Sequence, residues 1–154
     1  MECFLFAATI ALSAHCQPLY DVEGRVATYV AKVGYRPHSE AIKAIVKASE
    51  TFQVNPITLA RIAILESSFN PKQKPHQSPD GTWDFGLFQI NEINRDTICS
   101  EFNVMQVQGN AMCAAKILSE LRVKWSGRDQ YWIARYNSKN PVNKAKYWRR
   151  FASL

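Results

Sequence analysis

The sequence predicts a mainly α-helical domain of packed helices with one small β or loop excursion around residues 72–92. Three observations carry this. Apolar residues recur at helical spacing in several separate segments. Asn55-Pro56 is a helix start, with Asn as cap and Pro at the first helical position. Pro71, Pro75, Pro79 and Asp80-Gly81 fall together, so the helical pattern breaks there. A chain of 154 residues suits one domain of ordinary size.

Each element follows from its residues. Residues 3–12 are ten uncharged, mostly apolar residues, too short to span a bilayer. They fit the apolar region of a secretory signal, and residues 1–16 are expected to be such a leader. Glu2 is negative and no Lys or Arg precedes the run, so a buried N-terminal helix is the other reading. Residues 17–38 read as a lead-in that ends at Gly34-Tyr35-Arg36-Pro37, and residues 39–154 as the domain proper. Ser39 to Gln53 is helical, with Ala41, Ile42, Ile45, Val46 and Ser49 on one face. The next helix runs from Ile57 to Phe69 and stops at Asn70-Pro71. Thr82 to Ile90 is a short strand or a tight connector. Asn110 to Val123, Asp129 to Tyr136 and Asn143 to Phe151 are further helices, the last of them basic.

Composition narrows the class. The chain is 47% apolar and 21% charged, near the globular average, which argues against a disordered tail or a collagen-like rod. Nineteen Lys and Arg against thirteen Asp and Glu give a net charge of +6, which favours polyanionic surroundings. No recognition-helix signature or metal finger stands beside that charge, so nucleic acid is not an expected partner. There is no Cys-x-x-Cys pair, and His15, His38 and His76 are far apart, so neither a metal nor a cofactor is expected. Cys99 and Cys113 lie deep in the chain. In an oxidising compartment they could pair, closing a loop worth about 3 kcal/mol in the chain-entropy model; the alternative is two buried thiols.

Glu66 is the most informative residue. Its helical neighbours at i−4, i−3 and i+3 are Ile62, Ala63 and Phe69, all apolar. A carboxyl held against such a face is poorly solvated, and desolvation raises its pKa. An acid still protonated near neutral pH can donate a proton to a leaving oxygen and later take one back. The ordinary alternative is a Glu at the edge of an amphipathic helix, pointing to water.

Three segments follow one another: Glu66-Ser67-Ser68-Phe69-Asn70-Pro71, then Asp84-Phe85-Gly86-Leu87-Phe88-Gln89-Ile90-Asn91, then Tyr136-Asn137. In this order they resemble the lytic transglycosylase family with its lysozyme-like α+β domain, over roughly residues 39–140. They most resemble its small members associated with envelope-crossing secretion, conjugation or phage entry. The resemblance implies cleavage of peptidoglycan glycan strands at the β-1,4 bond between N-acetylmuramic acid and N-acetylglucosamine. It implies Glu66 as the single catalytic acid/base and a 1,6-anhydro product. It places Gln89, Tyr136 and Asn137 along the sugar groove, with the Tyr136 hydroxyl as an orienting group for Glu66. Ser68 and Asp84 join them as substrate-binding candidates. A periplasmic or secreted location is expected from export by the leader at residues 1–16. The chain departs from the family at Phe88, where Met is usual, at Arg135, where Ala is usual, and at Ser138-Lys139, where a Gly often follows.

Two other readings stand beside this one. Asp80-Gly81-Thr82-Trp83-Asp84-Phe85-Gly86 also resembles the hairpin of animal-type lysozymes, whose final Asp is a second catalytic carboxylate. Glu66 with Asp84 would then make a hydrolase, the gap between the two groups deciding the stereochemistry. A cell-wall-binding assembly protein that kept the groove and lost activity is the third. Among the aromatics, Trp132 is expected in the core and Trp83 as a sugar platform. Lys139, Lys144, Lys146, Arg149 and Arg150 read as a solvated basic face, able to draw the protein toward anionic envelope polymers.

Overall fold

Helix α2 (Ser39–Phe52) buries Ala41, Ile42, Ala44, Ile45, Val46, Ala48 and Ser49, and its main partner is the long helix α5 (Val107–Trp125). The computed structural model describes residues 19–154, and the expected leader at residues 1–16 lies outside them. The remaining elements are α1 (Leu19–Lys32), α3 (Pro56–Ser67), β1 (His76–Gln77), β2 (Trp83–Phe85), β3 (Ile90–Asn91), α4 (Glu92–Asp96), a 3-10 helix (Trp132–Tyr136) and α6 (Pro141–Ala152). The architecture is mainly helical with a small antiparallel sheet, a lysozyme-like α+β domain.

Local chemistry explains the helix ends. The Asn55 side chain accepts from the Ile57 and Thr58 amides at 2.8 and 3.2 Å, capping α3. Asn140 does the same for α6, accepting from Val142 and Asn143, with Pro141 at the first position. Helix α2 ends at Gln53, whose φ of 53° turns the chain out of the helix. Arg122 of α5 donates to the Gln53 carbonyl and ties that exposed end down.

Within the segment read as a lead-in, helix α1 packs on the helical body. Val26 and Val30 of α1 are fully buried, and Arg61 of α3 donates to the Tyr29 hydroxyl at 2.9 Å. The same guanidinium lies over the Phe151 ring of α6 at 5.3 Å, so one cation joins three helices. The missed signal is the spacing of Val22, Val26, Val30 and Val33, four apolar residues along one side of a helix.

The excursion is a three-stranded sheet in the order β1-β2-β3. His76 pairs with Asp84, and Asp84 in turn with Asn91. The Asp80-Gly81 turn forms as its residues dictate. Gly81 has φ 88°, and Asp80 accepts from the Thr82 amide at 3.1 Å and from the Thr82 hydroxyl at 2.7 Å. Helix α4, which the sequence reading did not anticipate, is a single short turn capped by Asn91. Cys99 and Cys113 form a disulfide that fastens the chain after α4 to the buried side of α5. No helix among the described residues is long and apolar enough to cross a membrane.

Candidate active site

A cleft of about 900 Å³ runs between the helical body and the sheet. Glu66 enters it from the last turn of α3, Asp84 and Gln89 from the hairpin side, and Arg135, Tyr136 and Asn137 from the end of the 3-10 helix. Glu66, Asp84, Gln89, Tyr136 and Asn137, five of the six residues singled out from the sequence, are thus brought to one cavity.

Ser68 is the exception. Helix α3 ends at Ser67, and Ser68 takes a left-handed conformation, φ 55°, that turns it out to solvent, away from the cleft lining. The serine that reaches the motif loop is Ser67. It is buried, and its hydroxyl lies 2.7 Å from the Leu87 carbonyl and 3.0 Å from that of Ala63. One residue of difference in where the helix stops decides which serine points inward.

Glu66 sits as its neighbours require. Ile62, Ala63 and Phe69 are fully buried around it, and its Oε1 is buried with no hydrogen-bond partner. Burial raises its pKa from 4.5 to about 7; the Tyr147 hydroxyl pulls down, the Asp84 charge pushes up, and Arg150 pulls down. Tyr147 and Arg150 come from α6, and neither was anticipated as a neighbour of the acid. The Tyr147 hydroxyl stands near enough to bias Glu66, yet it too is buried without a formed hydrogen bond. A carboxyl in this state is half protonated near neutral pH, and the residue lines the cleft although its Oε1 is turned inward.

Tyr136 does not orient Glu66 through its hydroxyl. It donates instead to the Phe88 carbonyl at 3.0 Å. Burial first, then the Glu66 and Asp84 charges, hold the phenol well above its usual pKa, so it stays a donor. Its target belongs to the turn Gly86-Leu87-Phe88-Gln89, which three elements clamp. Ser67 of α3 holds the Leu87 carbonyl. Tyr136 of the 3-10 helix holds the Phe88 carbonyl. Asn110 of α5, itself 1% exposed, accepts from the Phe88 amide at 2.8 Å and donates to the Phe85 and Val104 carbonyls at 2.8 and 2.9 Å. Gly86 allows this close approach: its φ is 70°, and a Cβ there would meet the Asn110 amide nitrogen at 2.8 Å.

The clamped turn presents Gln89 in a left-handed conformation, φ 46°, with its Nε2 donating to the Gly86 carbonyl at 2.8 Å. One N–H of the side chain is thereby spent; the other N–H and Oε1 remain for the cleft. Phe88 is fully buried, so the substitution of Phe for the usual Met is a core change, away from the groove surface.

Asp84 is braced by side chains. Ser78 donates to Oδ2, and Asn91 donates to Oδ1 at 2.9 Å. It ties β1, β2 and β3 together and lends negative potential to the cleft. Its neighbour Trp83 points to the other face of the strand, is 41% exposed and does not line the cavity, so it is no platform inside this cleft. Trp125 lines it instead, while Trp132 packs against the core as expected. The basic face is likewise split: Lys144 binds Asp129 at 2.7 Å, whereas Lys146 and Arg149 are exposed.

A helical body facing a small antiparallel sheet across a polar cleft, with a desolvated carboxyl in the wall, defines the class: a lysozyme-like α+β domain. The family model of the Transglycosylase SLT domain matches residues 43–150. The chain belongs to that family, whose members are enzymes, the peptidoglycan lytic transglycosylases. The match takes in every cleft residue described above and leaves α1 outside it. No curated protein and no solved structure matches the chain.

Proposed function

We propose that this protein cleaves peptidoglycan at the β-1,4 bond between N-acetylmuramic acid and N-acetylglucosamine, with Glu66 as its single acid/base. The observation that carries this reading is the raised pKa of Glu66, about 7, on a carboxyl that lines the cleft. Protonated Glu66 gives its proton to the glycosidic oxygen as the C1–O bond breaks, and the N-acetylglucosamine end leaves as an alcohol. The sugar's own N-acetyl group shares the positive charge at C1. Glu66, now ionised, takes the proton of the muramyl 6-hydroxyl as that oxygen bonds to C1. The product is a 1,6-anhydro ring, no water is consumed, and the acid is restored. Gln89 and Asn137 supply hydrogen bonds to the sugars, and the clamped turn fixes where Gln89 stands.

A substrate in the cell envelope calls for export, in keeping with the leader expected at residues 1–16. A small domain of this kind suits local opening of the wall for an envelope-crossing assembly. Asp84 favours a second reading, because it lines the same cleft as Glu66: there it would support a hydrolytic double displacement. Both its oxygens already accept hydrogen bonds from Ser78 and Asn91, which suits a brace better than a nucleophile.

Digestion of purified peptidoglycan, followed by mass measurement of the released muropeptides, tests the proposal. Released ends lighter by one water support the anhydro product, and ends at full mass support hydrolysis. Glu66→Gln should release neither; release by that variant at the wild-type rate would remove the enzymatic reading of the cleft.

A further inference from the structure

In the cleft lining, the Arg135 guanidinium carbon lies over the Trp125 ring, 3.6 Å from its centre. Its Nε donates to Asp129 Oδ2 at 2.7 Å, and Lys144 of α6 binds that same oxygen at 2.7 Å. The Tyr131 amide holds the other oxygen of Asp129 at 2.9 Å. The Arg135 and Asp129 side chains are only 19% and 10% exposed, so this is a packed arrangement rather than a loose surface pair. These contacts hold the Asp129 carboxyl down at about 2, chiefly through Lys144, so it stays ionised.

The assembly leaves Arg135 with donors to spare. Among the described residues its two Nη groups have no protein acceptor, although Arg135 lines the cleft. One carboxylate stands against two cations, so the site carries a net positive charge of one. Lys124 and Lys139 also line the cleft, as do the carboxylates of Asp80, Asp84 and Glu120. A guanidinium held over an aromatic ring and anchored at Nε has lost most of its rotamer freedom before any ligand arrives. What remains is a planar fork, which matches the two oxygens of a carboxylate.

Resting on the reading of the cleft as a glycan-strand site, we propose that Arg135 recognises a carboxylate on the peptide stems of the strand. The chemistry selects the stems. Where a stem is attached, the lactyl carboxyl of the muramyl sugar is taken up in an amide, and the sugars themselves hold no other carboxylate. The acidic groups of such a strand are therefore in its peptides. Arg135 is then a specificity residue, favouring strands that carry acidic stems, and it takes no part in the proton transfer.

Binding of the Glu66→Gln protein to solubilised, peptide-bearing glycan strands tests this, with half of the strands converted to carboxamides by carbodiimide and ammonia. Amidation is expected to weaken binding about tenfold, as loss of a charge-assisted pair does. Adding Arg135→Gln should weaken binding to native strands by about the same factor and abolish the effect of amidation. Asp129 keeps Lys144 in that variant, so no buried charge is orphaned. If Arg135→Gln fails to fold, Arg135→Lys decides: it keeps the charge but not the fork, and the amidation factor should shrink. An undiminished amidation factor in either variant, or none with Arg135 intact, overturns the proposal alone. Failure of Glu66→Gln to bind any strand overturns this proposal and the function on which it rests.

Discussion

Tyr147 of α6 sets its hydroxyl beside the carboxyl of Glu66 on α3, and both groups are buried without a completed hydrogen bond. The pairing joins the last helix to the proposed acid across the core. The phenol favours the ionised carboxylate, which it can serve as donor, and so opposes the larger effect of burial. Tyr147→Phe removes that opposition and should raise the Glu66 pKa further. The alkaline limb of the pH–rate profile is expected to move to higher pH, with turnover above neutral pH raised because more of the acid keeps its proton. An unchanged limb with reduced turnover would make Tyr147 a packing residue only.

Glu66 should also leave a mark on stability. Below pH 4.5 it is protonated in folded and unfolded chains alike and contributes nothing. Between 4.5 and about 7 the unfolded chain releases this proton while the folded one keeps it, so stability falls as pH rises. Above pH 7 the loss levels off on the order of 3 kcal/mol. Denaturant titrations of wild type and Glu66→Gln at pH 4 and pH 8 check this. The variant should match wild type at the lower pH and exceed it at the higher.

Asn110 is expected to be the costliest polar side chain to lose. Asn110→Ala strips the Phe88 amide of its acceptor and the Phe85 and Val104 carbonyls of their donor. A loss of about 2–4 kcal/mol follows from burying these groups unpaired. Asn110→Asp should fare poorly as well, because a carboxylate accepts from Phe88 but cannot donate to the two carbonyls. Urea melts of both variants measure this, and wild-type stability of the Asp variant would contradict it.

The Cys99–Cys113 bond closes a loop between residues 14 apart, which corresponds to about 3 kcal/mol in the chain-entropy model. Reductant should lower the melting temperature of wild type and leave the Cys99→Ser/Cys113→Ser double variant unmoved.

What could be read from the sequence was short-range. The burial of Glu66 was legible because its neighbours at helical spacing are in the same segment. The Asn55 cap and the Asp80-Gly81 turn were legible for the same reason. Contacts that cross the fold leave no such pattern. Tyr147 meets Glu66 from eighty-one positions away, and Asn110 meets Phe88 from twenty-two. Ser67 and Ser68 could not be told apart without knowing where α3 stops, because a single residue in a left-handed conformation reverses the direction of the side chain. Trp83 and Asp84 show the strand counterpart: adjacent residues face opposite sides, and only the register with β3 decides which side holds the cleft. Arg135, which departs from the family's usual Ala, finds its reason in Trp125 and Asp129, residues whose proximity the sequence hides.

Proton donation in this cleft requires that Glu66 hold its proton near neutral pH. A carbon-13 NMR titration of the labelled side-chain carboxyls, with the Glu66 signal assigned by its absence in Glu66→Gln, measures this without reference to any substrate. The expected midpoint is about 7. A midpoint at the ordinary value of 4.5 would mean that the carboxyl is solvated and ionised, and the account of this cleft as a proton donor would be wrong.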